Sequence, residues 1–276
     1  MTLGQLYQQA ISDLGQGSVD RFSILVLIQH HEAITSKDTL LTHLDWPAHH
    51  VDSFLKSFQR LKQGEPVAYI IGQTTFLNLT LKVNPAVLIP RQETEELVML
   101  ILKTFPKDKI MNVVDIGTGS GAIALALKSF RPTWKIIATD ISPDALAVAQ
   151  QNAVDNHLEL DTMLGDGLKD LSDRFHQTID LVVSNPPYVK SVSDLDPSVA
   201  QYEPHLALIA NPVTQFYEQY LHEAKPFLKP KGVFVFEVGP EVISLLIPIL
   251  LRIYPMAKTT TVKDINHKER FVIIYT

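Results

Sequence analysis

From about residue 111 onward the chain alternates short apolar runs with amphipathic ones, and no other feature restricts its fold as much. Runs at 111–116, 135–139, 159–163, 179–184, 232–238, 257–263 and 270–275 have the length and composition of strands. Helical spacing of apolar residues occupies the stretches near 120–130, 143–156, 213–228 and 240–253. Strands and helices in alternation pack as a parallel sheet covered on both faces. The last two runs break the pattern. Only a short turn around Ile265-Asn266-His267-Lys268 separates them, and such a turn joins antiparallel neighbours. The expectation is an α/β fold with a mostly parallel seven-stranded sheet whose last strand is antiparallel.

Residues 1 to about 75 read differently. Leu3, Leu6, Tyr7 and Ala10, then Phe22, Leu25, Val26 and Ile28, then Val51, Phe54, Leu55, Phe58 and Leu61 recur at helical spacing. They predict a small helical bundle, with Asp38 and Asp45 as helix caps and a break at Trp46-Pro47. His30, His31, His43, His49 and His50 match no metal-ligand spacing, and no cysteine accompanies them, so no metal site is expected. Thr74-Thr75-Phe76 and Leu77 to Val83 alternate apolar with polar residues, a hairpin pattern. The expected organisation is a helical domain over 1–75, a hairpin linker over 76–90 and the sheet domain over 91–276.

Composition excludes several classes. With 46% apolar and 20% charged residues a packed globular protein is expected. The absence of cysteine rules out a disulfide framework and a thiolate nucleophile and fits a reducing, cytoplasmic location. The N-terminus lacks a basic segment followed by an apolar core, so no signal peptide is expected. The apolar stretch Val242 to Ile253 is broken by Pro248 and is too short to span a membrane. A net charge of −6 argues against a broad nucleic-acid footprint.

Two stretches carry the chemistry. Val113-Val114-Asp115-Ile116-Gly117-Thr118-Gly119-Ser120-Gly121 is a strand, a glycine turn and a helix start. Its G-x-G-x-G spacing differs from the G-x-G-x-x-G of dinucleotide sites, and no Gly-Lys-Ser or Gly-Lys-Thr follows as in a phosphate loop. Asp140 ends the second strand, nineteen residues beyond Gly121, where an acid can hold the hydroxyls of a ribose. Asp166, beside Gly167, ends the third and can accept from an adenine amino group. The second stretch, Ser184-Asn185-Pro186-Pro187-Tyr188, closes the fourth strand. The prolines hold the turn rigid and lack N–H groups, leaving the Asn185 side-chain oxygen and the Asn185 and Pro186 carbonyls as acceptors. Tyr188 adds an aromatic face. Such a cluster suits an –NH2 group on a planar system.

The glycine turn, Asp140, Asp166 and Asn185-Pro186-Pro187-Tyr188 resemble the motifs of class I S-adenosylmethionine-dependent methyltransferases acting on nitrogen. Ile89-Pro90-Arg91-Gln92-Glu93-Thr94-Glu95 and Tyr202-Glu203-Pro204-His205-Leu206-Ala207-Leu208 narrow the resemblance to the HemK/PrmC family. These are the glutamine methyltransferases of peptide chain release factors, and the likeness covers essentially the whole chain. The resemblance implies a Rossmann-like sheet. It implies S-adenosylmethionine bound by Gly117, Thr118, Gly119, Ser120, Gly121, Asp140, Asp166, Gly167 and Asn185, and S-adenosylhomocysteine as product. It implies the release-factor Gly-Gly-Gln glutamine as substrate, held by Asn185, Pro186, Pro187 and Tyr188, with Arg91 bracing the site entrance. The helical domain is then expected to recognise the release factor. An amino-group methyltransferase of nucleic acid is the alternative that shares Asn-Pro-Pro-Tyr. Two positions depart from the family pattern: Gln92 replaces a proline, and Gly167 replaces a bulky residue packed on the adenine, leaving Leu168 to make that contact.

Overall fold

The computed structural model describes residues 1–14 and 20–276. The chain divides into two compact units, Met1–Gln73 with Asp196–Tyr202, and Thr74–Leu195 with Glu203–Thr276.

The first unit is helical: α1 (Leu3–Leu14), α2 (Arg21–His31), α3 (Lys37–Thr42), α4 (Val51–Lys62) and α5 (Val67–Ile71). Its core gathers Leu3, Leu6, Ala10, Ile24, Leu27, Leu40, Phe54, Phe58 and Leu61, and the Phe54 and Phe58 rings stack at 5.7 Å. Asp20 caps α2 by accepting from Phe22 N–H at 3.1 Å. Ser36, not Asp38, caps α3, its hydroxyl accepting from Thr39 N–H at 3.0 Å. Asp38 instead lies in the first turn, where a carboxylate suits the positive end of the helix. Asp45 caps no helix; α4 starts after His50. Among the described residues, His31 bonds the Ser57 hydroxyl at 2.9 Å and His49 lies 3.4 Å from Glu32.

The second unit opens with a two-stranded sheet, β1 (Gln73–Phe76) and β2 (Leu79–Lys82), then α6 (Gln92–Thr104). The main sheet follows as β3 (Asn112–Ile116), α7 (Ala122–Phe130), β4 (Lys135–Asp140), α8 (Pro143–Asp155), β5 (Asp161–Leu164) and β6 (Ile179–Ser184). The next helix, α9 (Pro197–Tyr202), groups with the helical unit, where Ser198 donates to the Gly64 carbonyl at 2.6 Å. Then come α10 (Gln215–Glu223), β7 (Leu228–Glu237), α11 (Val242–Ile253), β8 (Lys258–Lys263) and β9 (Glu269–Tyr275).

The sheet order is β5-β4-β3-β6-β7-β9-β8. The five strands from β5 to β7 are parallel, and β9 runs antiparallel to both β7 and β8. The seven-stranded, mostly parallel sheet with an antiparallel last strand is therefore as the alternation predicts. Apolar clusters cover both faces, one including Leu97, Ile101, Leu125 and Trp134, the other Tyr217, Leu221, Leu246 and Leu250. The bounds around α10 and β7 differ most. Helix α10 ends at Glu223, short of the expected 228, because Pro226 cannot continue it. β7 starts at Leu228 rather than 232, and its pairing with β6 shifts register between Leu228 and Val233, which accommodates Pro230.

The register sets up the site. Ile116 pairs with Thr139 on one side and Ser184 on the other, and Asp140 pairs with Leu164. Strands β3, β4, β5 and β6 therefore end level, so Gly117, Ile141, Gly165 and Asn185 leave from one carboxyl edge. The chain order reverses at β3, flanked by β4 and β6, and ligands of open α/β sheets bind at such a point.

Candidate active site

The glycine turn is held from behind. Gly117 and Thr118 N–H groups both donate to the Thr139 carbonyl at 2.9 Å, which pins the turn to the end of β4. Gly117 and Gly119 have φ of 69° and 55°, and a Cβ on either would meet no protein atom within 4 Å. What a Cβ would fill there is the cavity itself. Beneath the turn Asp115 is fully buried, accepting from the Thr118 hydroxyl at 2.6 Å and Ala124 N–H at 3.2 Å. Burial pushes its carboxyl up to about 7, against the opposing Thr118 bond.

Asp140 points back at the same turn. Its two oxygens accept from Gly119 N–H at 2.8 Å and Ser142 N–H at 2.9 Å. Burial raises its pKa, and these N–H groups oppose the rise. The Ile141 N–H also donates to this carboxylate. Asp166 accepts from Lys169 at 3.0 Å and from Gln219 of α10 at 3.2 Å. Gly167 is fixed by its φ of +81°, and a Cβ there would also press on the Glu223 carboxylate, 2.2 Å away. Glu223 sits so close because it accepts from Leu168 N–H at 2.7 Å. Leu168 does not take over the missing contact. It is fully buried in the core and does not line the cavity; Phe216 and Tyr220 of α10 do.

At the end of β6, Ser184 donates to the Ile116 carbonyl at 2.6 Å and so ties the Asn-Pro-Pro turn to the glycine strand. Asn185 donates through its side-chain nitrogen to the Thr94 hydroxyl at 3.2 Å, and Thr94 donates to the buried Glu237 carboxylate at 2.8 Å. Burial pushes Glu237 up to about 7. The Tyr188 ring packs with the core on the α10 and α11 side, and its hydroxyl lies 3.5 Å from Glu237. Arg91 pairs with Glu203 at 2.5 Å, and the same carboxylate accepts from Ile89 N–H at 3.1 Å. That bond joins the Ile-Pro-Arg and Tyr-Glu-Pro segments.

These groups converge on one cavity of about 280 Å³. Its wall contains Gly117, Thr118, Gly119, Ser120, Asp140, Asp166, Gly167, Asn185, Pro186 and Pro187. Gly121, Arg91 and Tyr188 are not among the lining residues; Pro90 and Thr94 face it from the Ile-Pro-Arg segment. Three carboxylates line it and, among the described residues, no lysine or arginine does. Such a wall accepts hydrogen bonds from hydroxyl and amino groups, tolerates a cation and repels phosphates.

A profile of the PrmC N-terminal domain matches residues 5–72, and one of the methyltransferase small domain matches residues 80–202. A release factor glutamine methyltransferase of Enterococcus faecalis is 38% identical over 242 residues, 86% of each chain. That of Staphylococcus aureus is 37% identical over 235 residues, 83% of each chain. The chain belongs to the release factor glutamine methyltransferase family. Among solved structures, a Pyrococcus furiosus methyltransferase superposes with a TM-score of 0.53 at 19% identity, covering 71% of this chain and 88% of its own. The hMettl16 catalytic domain reaches 0.54 at 17% identity, covering 82% of this chain and 81% of its own. At those identities the likeness speaks to the methyltransferase fold alone. Seen as a member of the glutamine methyltransferases, the chain shows three groups that its motifs did not single out. Glu237 and Phe216 lie far along the sequence from the motifs they stand beside. Thr94 stands inside a recognised segment yet reads there as one more polar residue of a helix start.

Proposed function

We propose that this protein transfers a methyl group from S-adenosylmethionine to the side-chain amide nitrogen of the glutamine in the Gly-Gly-Gln motif of peptide chain release factors. Family membership supports the reaction and substrate. One observation carries the site: the glycine turn with its strand-end acids and the Asn-Pro-Pro turn line a single cavity. The cavity fits the donor. The open space over Gly117 and Gly119 would admit the methionine part, Asp140 would hold the ribose hydroxyls, and Asp166 would accept from the adenine amino group. When bound, S-adenosylmethionine supplies an electrophilic sulfonium methyl.

An amide nitrogen is a poor nucleophile, so the protein's task is to place it. Asn185 and the Pro186 carbonyl accept from the glutamine –NH2 and hold it for in-line attack, with Tyr188 behind the turn. Positioning and polarisation of this kind can supply several kcal/mol of barrier lowering, about 7–11 kcal/mol at the upper end. No strong base is required, because the methylated nitrogen releases its proton readily to solvent. Arg91, through Glu203, holds the two segments that flank the opening, and the helical unit is the second surface for the release factor. A protein substrate in the cytoplasm follows from the same reading. Among the described residues no helix is long and apolar enough to cross a membrane.

The test is to incubate the protein with methyl-labelled S-adenosylmethionine and a release factor, then map the label. Label on the Gly-Gly-Gln glutamine is expected, lost when that glutamine is replaced. Asn185→Ala should bind the cofactor nearly as well as the parent and methylate on the order of a hundredfold more slowly. Label on a nucleic acid offered in parallel, and none on the factor, would overturn the assignment.

A further inference from the structure

The buried Glu237 carboxylate has no part in the chemistry described so far, yet it ends a hydrogen-bond chain that begins at Asn185. We propose that Glu237 and Thr94 are positioning residues that fix which end of the Asn185 side-chain amide faces the substrate. The proposal rests on the reading of Asn185 as the acceptor for the glutamine –NH2.

The directions of the bonds follow from what each group can do. An ionised carboxylate only accepts. Glu237 lies 2.8 Å from the Thr94 hydroxyl, so the single hydroxyl hydrogen of Thr94 is committed to it. The Thr94 oxygen can then only accept from its other neighbour. That neighbour is the Asn185 side chain at 3.2 Å, which must present its –NH2 group. The Asn185 oxygen is thereby left for the cavity. The carboxylate acts as a polarity setter for an amide whose two ends are nearly the same shape. A flipped Asn185 would point N–H at a substrate –NH2, donor against donor.

The surroundings keep this chain rigid. Glu237 is 1% exposed at the end of β7, and Thr94 is 5% exposed on α6. Glu93 on the same helix and Arg270 on β9 act on the carboxylate through their charges, and the Tyr188 hydroxyl through a hydrogen bond. Tyr217 of α10 donates to the Glu237 backbone carbonyl at 3.0 Å, and Arg270 is itself tied to Asp264 at 3.3 Å. A protonated Glu237 could donate to Thr94, freeing the Thr94 hydrogen for the Asn185 oxygen and permitting the flip. Burial puts that change near pH 7, with Asn185 locked in the accepting orientation above it and released below it.

Three variants test the relay, with turnover measured at saturating cofactor and release factor across neutral pH. The parent kcat should rise with pH through about 7. Glu237→Gln keeps the shape but removes the charge, and glutamine can donate or accept. Its kcat should fall on the order of tenfold to a hundredfold and lose the pH dependence, while S-adenosylmethionine affinity stays at the parental value. Thr94→Val should behave like Glu237→Gln, and Thr94→Ser should restore both rate and profile. Thermal unfolding and cofactor binding establish that each variant is folded; should Thr94→Val fail that check, Glu237→Gln alone carries the test. Parental kcat and profile in Glu237→Gln, alongside a slow Asn185→Ala, would remove the relay and leave the role of Asn185 standing. Parental turnover in Asn185→Ala would remove both.

Discussion

Just past Asp166 a leucine is buried in the core, and the ring that faces the cavity is a phenylalanine of α10. Leu168 follows Asp166 and Gly167 and reads as the contact for an adenine ring. It is buried in the core instead, because the left-handed turn at Gly167 directs the chain inward and Glu223 fastens Leu168 N–H. The ring facing the cavity at this end is Phe216, 6.2 Å from Tyr220 between centroids. Phe216→Ala should therefore weaken S-adenosylmethionine binding by about 1–3 kcal/mol, the usual worth of an aromatic platform under a base. Calorimetry decides it, and parental affinity would clear Phe216 of the role. Asp140, Asp166, the glycine turn and Asn185 were legible in the sequence because a residue just past a strand end has its location fixed by that strand. Phe216 and Glu237 were not. A helix aromatic and a strand-terminal acid look like packing and solvation until the sheet order brings them to the site.

At the scale of elements, alternation made the parallel sheet readable, and the missing helix before β9 made the antiparallel strand readable. Strand order was not, since it depends on which faces pair and no local pattern records that. Neither was the side chain that joins hairpin, helix and glycine turn. Asn152 of α8 is fully buried and bonds the Lys82 N–H at 2.6 Å, the Lys82 carbonyl at 3.0 Å and the Ser120 carbonyl at 2.8 Å. In sequence it is one more polar residue in a helix. Asn152→Leu should strand these backbone groups in an apolar setting, with each unsatisfied one costing about 1–3 kcal/mol. The loss should show in denaturant unfolding as a lower midpoint with little change in slope. An unchanged midpoint would mean that solvent replaces the three bonds.

For the molecule as a whole, the helical unit poses the question of how one glutamine is found among thousands. A side-chain amide offers little surface, whereas specific protein interfaces bury about 1,600 Å² in total. A fragment starting at Phe76 should bind S-adenosylmethionine but methylate an intact release factor with a raised KM and a nearly parental kcat. Unaltered kinetics in a soluble fragment would deny the helical unit a role in recognition. The helical unit and the sheet unit divide between Gln73 and Thr74. Far along the chain, where no linear reading would look, Asp196–Tyr202 returns to the helical unit, with Tyr202 donating to the Gln63 carbonyl at 3.2 Å. That return bears on inheritance. A unit made of two separated stretches cannot be passed between genes as one cassette. Recombination that carried residues 1–73 to a new partner would leave the α9 helix behind.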